Sequence, residues 1–251
     1  MTASASRVLV LPAAGTGSRL GSSQAKVLHP VAGRPMLAHL AALHRPWIDR
    51  WHIVVRPVDR DAVAAACASL GLDATIHEQP TPIGMLDAVL RPLEALRRER
   101  PACVWITWCD QIGIRPETLA RLAESPCGDG ATLTLPTCRK AEPYILLDRD
   151  PAGRVHYVRH RREGDAMPAE GEADAGLFAL SVAAYLDELP RYAAAPDAAG
   201  ATTGERNFLP FLPWIERVGH VATFPCLDPE ETIGVNTPAD VAAVEAYLAR
   251  R

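Results

Sequence analysis

The stretch RVLVLPAAGTGSRLG, residues 7–21, decides the fold class of this chain. Its first part, Arg7–Pro12, is a continuous apolar run, which is typical of a strand buried on both faces of a parallel sheet. A loop rich in glycine and serine, residues 15–25, follows, and Pro35 then opens a helix with apolar residues at helical spacing. This order of strand, loop and helix predicts a ligand-binding loop at the carboxyl edge of a parallel sheet.

Strands and helices alternate in the first half of the chain, and the rhythm changes after about residue 130. The predicted strands are residues 7–12, 51–55, 74–77, 102–108, 131–136, 143–148, 155–160, 176–180 and 220–224. The predicted helices are the one that Pro35 opens, one from Asp59 or Asp61 to Gly71, residues 84–99, residues 183–189, a broken helix over 207–217, and residues 238–250 behind a Thr237 cap. The alternation favours a mostly parallel sheet with helices on both faces, and the later strands favour an antiparallel or mixed extension.

Length, composition and charge limit the class of protein. The 251 residues are 48% hydrophobic and 22% charged, which is typical of a globular chain that buries its own core. The net charge of −4 excludes a broad basic field for nucleic acid, although a local basic patch stays open. The longest early apolar run, Val8–Ala14, is far shorter than the ~20 residues that span a bilayer. We therefore expect no nucleic acid and no membrane as partner, and the sequence carries no signal for an oligomeric state.

The cysteines form no Cys-x-x-Cys pair, which argues against a zinc ribbon or a thioredoxin motif. They are Cys67, Cys103, Cys109, Cys127, Cys138 and Cys226. We expect these thiols to be buried as small hydrophobic side chains. Because the first residues also lack the pattern of a secretory leader, the sequence favours a reducing, cytoplasmic location.

The loop after the first strand does not match either of the two common phosphate loops. The Rossmann fingerprint needs a glycine where Leu20 stands, which also disfavours a dinucleotide-binding oxidoreductase, and the Gly-Lys-Ser/Thr triplet of the P-loop is absent. The loop instead reads Gly-x-Gly-x-Arg, with Lys26 seven residues after Arg19. Two cations beside a nest of backbone amides suit a triphosphate, and a solvated Ser/Gly turn is the alternative interpretation.

Three segments resemble the nucleotidyltransferase family, namely Leu11–Leu20 (LPAAGTGSRL), Ala25–His29 (AKVLH) and Gly33–Leu37 (GRPML). The sequence most resembles the uridyltransferase domain of the N-acetylglucosamine-1-phosphate uridyltransferases, within a group that includes the MobA-like transferases. The resemblance covers nearly the whole chain. It implies a Rossmann-like α/β fold of the nucleotide-diphospho-sugar transferase type, with an inserted acceptor-binding part. We expect one domain over residues 1–251, with a nucleotide-binding half at 1–130 and an acceptor-binding half at 131–251, and without the acetyltransferase repeats of the bifunctional members.

The resemblance also implies a set of site residues. Gln79 with Gly84 resembles the family's base-reading pair, Asp110 after Trp108-Cys109 resembles its metal-binding Gly-Asp, and Asn236 in Gly-Val-Asn resembles its second metal ligand. The predicted nucleotide-binding residues are Ala13, Ala14, Gly15, Thr16, Gly17, Ser18, Gln79 and Gly84. The predicted catalytic residues are Arg19 and Lys26, and the predicted Mg²⁺ ligands are Asp110 and Asn236. The alternatives are that Asp110 caps a helix at Pro116, that Asn236 and Thr237 form only a turn and a cap, and that Gln79 is an ordinary exposed side chain.

The acceptor half departs from the family pattern. The family's Val-Glu-His is here Val-Arg159-His, its Glu-x-Asn-Thr-Gly contains Asp174 in place of asparagine, and its Gly-Tyr-Gly-Arg loop keeps only Tyr144. These three residues are the predicted acceptor-binding set. The basic run Arg159–Glu163 suits an acceptor more anionic than a hexosamine phosphate, such as a phosphonate or a carboxylated phosphate, and an ion-paired or solvated segment is the alternative. Met85 stands where the uridyltransferases have threonine, so both UTP and CTP stay open as donors.

The resemblance implies Mg²⁺-dependent transfer of UMP or CMP from an NTP to a small phosphorylated acceptor, such as a sugar 1-phosphate or a phosphonate, with release of pyrophosphate. A phosphate nucleophile is mostly ionised at pH 7, so no general base is required. Catalysis then depends on positioning and charge stabilisation. Two other functions stay open: a MobA-like molybdopterin nucleotidyltransferase, and a catalytically inactive module that senses a nucleotide.

Overall fold

The computed structural model describes residues 6–21, 24–125, 127–128 and 130–251. Ser22 and Ser23 of the predicted glycine- and serine-rich loop lie outside the described residues.

The first half of the chain alternates strands and helices. Its strands are β1 (Arg7–Pro12), β2 (Pro30–Val31), β3 (Arg34–Pro35), β4 (Arg50–Val55), β5 (Ala74–Glu78) and β6 (Cys103–Thr107). Its helices are α1 (Met36–His44), α2 (Arg60–Ser69), α3 (Met85–Leu90), α4 (Leu93–Glu99) and α5 (Pro116–Ala123).

The second half has six described strands as well, with fewer helices between them. The strands are β7 (Thr132–Ala141), β8 (Ile145–Arg149), β9 (Val155–His160), β10 (Glu170–Asp174), β11 (Leu177–Ser181) and β12 (His220–Pro225). The helices are α6 (Leu189–Ala193), which continues a π-helical turn at Ala184–Glu188, then α7 (Phe211–Val218) and α8 (Pro238–Ala249).

One sheet takes strands from both halves of the chain. Its order is β10-β7-β11-β6-β1-β4-β5, with β12 also paired to β7. The pairs β1–β4, β1–β6, β4–β5 and β7–β12 are parallel, whereas β11 runs antiparallel to β6 and β7, and β10 runs antiparallel to β7. The antiparallel hairpin β8–β9 stands outside this sheet. This mixed, mostly parallel α/β sheet confirms the predicted fold class.

The apolar run of β1 is continuous because both faces of the sheet are covered. Leu9 and Leu11 belong to one hydrophobic cluster, together with side chains of α1 and α5. Val8 and Val10 belong to a second cluster, together with side chains of α3, α6 and α7. Alternate residues of a strand point to opposite faces, so a strand between two helical layers needs an apolar residue at every position.

Several predicted elements differ from the structure. The helix predicted over 84–99 is two helices, since Pro92 interrupts it. Strand β10 has the polar sequence EGEAD and was not predicted. The broken helix predicted over 207–217 is α7 alone, which begins at Phe211. The predicted cap of α8 is confirmed, because the Thr237 side chain accepts from the backbone N–H of Asp240 and the Asp240 carboxylate accepts from the backbone N–H of Thr237.

The prediction that every cysteine is a buried free thiol is wrong for two of them. A disulfide joins Cys103, the first residue of β6, to Cys127 in the segment that follows α5. Because the two residues are 24 positions apart, no local spacing signals the pair. Of the other four, Cys67, Cys109 and Cys138 are buried as predicted, and Cys226 is half-buried.

None of the helices within the described ranges combines the length and the apolar character that crossing a bilayer requires.

The last residue of α1, His44, places a polar ring in the hydrophobic core. The ring is fully buried and makes edge contacts with Trp51 at 6.0 Å and Trp105 at 6.2 Å between centroids. Neither ring nitrogen has a hydrogen-bond partner among the residues that the structure describes. Burial lowers the pKa of His44 from 6.5 to about 3, so the ring is neutral in the folded protein.

We expect His44→Leu to stabilise the protein by about 1 kcal/mol at pH 7.5, because it removes a buried polar group without a partner. The stability of the variant relative to the wild type should increase as the pH falls below 6.5. His44 then binds a proton in the unfolded wild-type chain but stays neutral in the folded protein down to about pH 3. Urea unfolding at pH 7.5 and pH 5 measures both effects. His220→Leu at an exposed position is the control, and an equal pH dependence in the two variants would contradict the prediction.

Candidate active site

Three distant segments meet at the carboxyl edge of the sheet around one ammonium group. The Lys26 Nζ donates to Asp110 Oδ2 at 2.6 Å and to Asn236 Oδ1 at 2.8 Å. The Arg19 Nη2 donates to the same Asn236 oxygen at 3.1 Å. The site thus brings together all four side chains for which the sequence predicted catalytic or metal-binding roles.

Backbone contacts hold the two oxygen-bearing side chains in place. Asp110 follows β6 in a turn, and its carbonyl accepts from the N–H of Val235 at 3.2 Å. The N–H of Asn236 donates to the Asp240 carboxylate at 3.0 Å, which links Asn236 to the capped start of α8. The alternative that Asp110 caps α5 is wrong, because that helix begins after Arg115 and no side chain caps it. Asn236 combines its turn position with a side chain directed at Lys26.

The ion pair between Lys26 and Asp110 is largely shielded from solvent. The two side chains are only 11% and 15% exposed. Removing either partner would leave an uncompensated charge in a poorly hydrated place, which is costly. The adjacent Cys109 is not a competing nucleophile, because burial raises the pKa of its thiol to about 12.

The glycine loop presents its middle to solvent and anchors both ends. Ala13 and Ala14 are buried, and the N–H of Ala13 donates to the Val54 carbonyl at 2.7 Å. Gly15, Thr16 and Ser18 are exposed. Gly17 has a φ of +58°, and a Cβ there would lie 3.4 Å from the Lys26 Cβ, so glycine suits this left-handed position close to the lysine.

The predicted base-reading pair lies further along the same edge. Gln79 is 4% exposed, so the interpretation as an ordinary exposed glutamine is wrong. Its Nε2 donates to the Gly84 carbonyl at 3.1 Å and to Asp87 Oδ2 at 2.9 Å. Both amide hydrogens are thereby used, and the amide oxygen is the atom that can accept from a ligand.

Gly84 touches the backbone of a distant loop. Its φ is +124°, and a Cβ would lie 2.4 Å from both the nitrogen and the oxygen of Arg206. The N–H of Arg206 donates to the Ile83 carbonyl at 2.7 Å, and its carbonyl accepts from Leu86 at 3.0 Å. The position therefore requires glycine, because any side chain would break this backbone pairing.

A cavity of about 1490 Å³ extends from this edge into the second half of the chain. Its walls include Arg19, Asp110 and Asn236 at one end and residues of β9 at the other. Pockets for a single small ligand usually measure about 300–1,000 Å³. The cavity is therefore larger than a pocket for one small ligand usually is.

The structure separates the three residues predicted to contact an acceptor. Tyr144 lines the cavity, is 48% exposed and packs edge-on against His160. Asp174 also lines it, is buried, and accepts from the Gly176 N–H at 2.8 Å. Burial raises the pKa of Asp174. Arg159 is absent from the cavity wall, because its guanidinium donates to Asp148 Oδ2 at 2.6 Å and to the Ala166 carbonyl at 3.0 Å.

Sequence reasoning missed several residues of the cavity. Lys140 on β7 and Gln111 after Asp110 both line it, and the Gln111 Oε1 is buried without a partner in the described part of the chain. Trp108 was noted only as part of a motif, yet it forms a wall packed on Phe178 and Phe208. Only the adjacency of Gln111 to Asp110 offered a signal in the sequence.

Glu163 fastens one wall of the cavity. Its carboxylate accepts from the backbone N–H groups of Thr202 at 2.9 Å and Thr203 at 3.2 Å, and from Asn207 Nδ2 at 3.2 Å. Although desolvation opposes ionisation, the hydrogen bonds from Thr203, Thr202 and Asn207 lower the pKa of Glu163 to about 2. We call residues 200–207 the strap, because Glu163 holds it at one side and the Gly84 loop holds it at Arg206 on the other.

Within the described ranges, no three side chains of histidine, cysteine, aspartate or glutamate gather to hold a metal ion. Any metal at the carboxyl edge would therefore need ligands from Asp110, Asn236 and the substrates themselves.

Known proteins resemble this chain over most of its length. Residues 9–198 match the family model of the MobA-like NTP transferase domain. The chain is 33% identical over 256 residues to the bifunctional protein GlmU of Rhodopseudomonas palustris, an alignment that covers 100% of this chain and 54% of that protein. It is 35% identical over 250 residues to GlmU of Xanthobacter autotrophicus, covering 98% and 54%, and 31% identical over 247 residues to GlmU of Kineococcus radiotolerans, covering 97% and 49%. The chain thus spans about half the length of the curated relatives it matches.

We expect Glu163→Gln to lower the free energy of unfolding by about 1–3 kcal/mol at pH 7, because the carboxylate accepts several hydrogen bonds that a neutral amide satisfies poorly. Hydrogen exchange at the amides of Thr202 and Thr203 should accelerate. Since the pKa of Glu163 is lowered to about 2, its contribution is complete above pH 4.5 and fades as the pH falls towards 2. Glu205→Gln, in a more exposed pair with Arg162, is the control, and similar losses in both variants would refute a special role for Glu163.

Proposed function

The chain belongs to the MobA-like NTP transferase family and is a nucleotidyltransferase, and from that premise we propose that it transfers UMP or CMP from UTP or CTP to a small phosphorylated acceptor. A sugar 1-phosphate or a phosphonate is the acceptor class, and pyrophosphate is released. The observation that carries this proposal is the convergence of Lys26, Asp110 and Asn236, since Asp110 and Asn236 also line a large cavity.

The first half of the chain would hold the triphosphate. The exposed amides of Gly15–Ser18 suit its β- and γ-phosphates, and residues 1–130 form the nucleotide-binding half in this proposal. Arg19 and Lys26 would offset the charge that grows on the leaving pyrophosphate, with Lys26 also reaching the α-phosphate. The Gln79 amide oxygen, beside Gly84, would accept from the base.

The residues around Lys26 fit a divalent cation. Asp110 Oδ2 and Asn236 Oδ1 lie 2.6 and 2.8 Å from the same nitrogen, so they already converge on one positive centre. Both are hard oxygen donors, and Mg²⁺ usually takes few protein ligands and completes its shell with water and substrate phosphates. When bound there, Mg²⁺ would polarise a phosphate and neutralise its charge. Asp110 and Asn236 would hold it, and Lys26 would then be free to contact phosphate.

The second half, residues 131–251, would bind the acceptor and contribute Asn236. Tyr144 and Asp174 line the cavity and would orient the acceptor, whereas Arg159 lies outside the cavity wall with its guanidinium bound to Asp148. The acceptor phosphate is mostly ionised at neutral pH, so the protein needs only to align it. Since NTP is a cytoplasmic metabolite, we propose the same location for this chain.

A pyrophosphate-release assay tests the proposed function. Each of the four NTPs is combined with sugar 1-phosphates, phosphonates and molybdopterin, with and without Mg²⁺. We expect release with UTP or CTP, only with a small phosphorylated acceptor and only with Mg²⁺. If molybdopterin is the one acceptor that supports pyrophosphate release, the protein is instead a MobA-like molybdopterin nucleotidyltransferase. Tight NTP binding without release under any condition would identify a nucleotide-sensing module.

Lys26→Ala should lower kcat/KM for pyrophosphate release by on the order of 10²-fold, as the loss of other electrostatic donors does. The variant also leaves Asp110 unpaired, so thermal unfolding is measured in parallel to separate catalysis from stability. Arg98→Ala on the exposed surface of α4 is the control. Near-normal turnover in a folded Lys26→Ala protein would rule out the role assigned to this lysine.

A further inference from the structure

The cations on the cavity wall differ in whether a carboxylate already neutralises them. Arg154 pairs with Asp150 at 2.9 Å, and Arg162 pairs with Glu205 at 2.7 Å. Arg159, the centre of the basic run, pairs with Asp148 outside the cavity wall. Carboxylates of the protein therefore neutralise most of the positive charge that the sequence analysis predicted would face an anionic acceptor.

Lys140 on β7 differs from these paired arginines. Two other cations of the wall also form no ion pair with a carboxylate in the described part of the chain, but Arg19 binds Asn236 beside the glycine loop and Arg217 lies over the Trp214 ring. The Lys140 side chain is half-buried and lines the cavity, and its Nζ donates to the Thr232 carbonyl at 3.2 Å. Among the described residues it forms no ion pair with a carboxylate. An ammonium carries three N–H donors, so Lys140 can offer donors and a full charge to a ligand in the cavity.

Two series of contacts connect Lys140 to the segments that carry Asn236 and Asp110. The hydrogen-bond partner of Lys140, Thr232, lies four residues before Asn236 on the segment that enters the site. On the other side its charge acts on Asp174. Asp174 is in turn tied to Gly176, whose carbonyl binds the N–H of Trp108, two residues before Asp110. Lys140 thus lies on the acceptor side of the cavity rather than beside the glycine loop.

Asp174 does not neutralise the Lys140 ammonium. It is buried, its Oδ1 accepts from the Gly176 N–H, and it forms no close ion pair with Lys140. A ligand oxygen that enters from the cavity can therefore bind the ammonium directly. We propose that Lys140 selects acceptors that carry a second anionic group, such as a carboxylate, separate from the phosphate that reacts. The inference rests on the proposed function and narrows its acceptor class.

A matched pair of acceptors isolates this charge. Glucose 1-phosphate and glucuronate 1-phosphate differ only in the replacement of a hydroxymethyl group by a carboxylate. Their dissociation constants are measured by calorimetry in the presence of Mg²⁺ and a non-hydrolysable UTP or CTP analogue, so that binding is observed without turnover. We expect the wild-type protein to bind glucuronate 1-phosphate roughly tenfold or more tightly than glucose 1-phosphate, the effect of one charge-assisted hydrogen bond.

Variants assign that preference to Lys140. Lys140→Gln should bring the ratio of the two dissociation constants close to one, whereas Lys140→Arg, which keeps the charge, should retain most of the preference. Arg139→Gln removes the neighbouring cation of β7, whose side chain is 75% exposed and does not line the cavity, and should leave the ratio unchanged. Melting temperatures of all variants verify that they are folded.

The outcomes separate the inference from the proposed function. Equal affinity of the wild type for the two acceptors, or an unchanged ratio in Lys140→Gln, would overturn the role of Lys140 even if pyrophosphate is released. A preference that depends on Lys140 without pyrophosphate release from any NTP would instead support the subsite and contradict the transferase reaction. Failure to bind either acceptor while the nucleotide analogue binds would overturn the inference, and pyrophosphate release with other acceptors would then decide the proposed function by itself.

Discussion

The Lys26 ammonium is the contact on which the rest of the site depends. It joins the segment after the glycine loop to the turn after β6 through the Asp110 carboxylate, and to the segment before α8 through the Asn236 carboxamide oxygen. A charge this shielded is stable only when its partners are held in place. The capping box of α8 and the backbone bond from Val235 to Asp110 provide that restraint. The fold thereby prepares a compact cluster of charges before any substrate arrives, as electrostatic catalysis requires.

The sheet explains why these segments meet. β1 lies between β4 and β6 with all three strands parallel, so the glycine loop after β1 and Asp110 after β6 emerge at the same edge. Ligands of open α/β sheets bind at this edge. Because helices cover both faces, the central strands β1 and β6 are buried, and the site residues lie in the segments that follow them.

The strap couples the two halves of the molecule. Arg206 pairs through its backbone with the Gly84 loop, and Glu163 holds Thr202 and Thr203 near the end of β9. The proposed base pocket and the acceptor part of the cavity therefore share one wall.

Much of this arrangement follows from the sequence alone. The double-sided apolar run of β1 and the glycine loop with Arg19 and Lys26 are local patterns, and they predicted the α/β class and a phosphate-binding loop. The roles of Asp110 and Asn236 were predicted from the resemblance to the nucleotidyltransferase family. The tertiary structure decided which positively charged side chains can bind a ligand in the cavity. Arg159 and Arg162 are neutralised by carboxylates from other segments, while Lys140, which no motif marks, lines the cavity without a carboxylate partner among the residues that the structure describes. It also decided the Cys103–Cys127 pair and the strap. Local patterns report backbone preference and burial, whereas ion pairing depends on which side chains the folded chain brings within a few ångströms of each other.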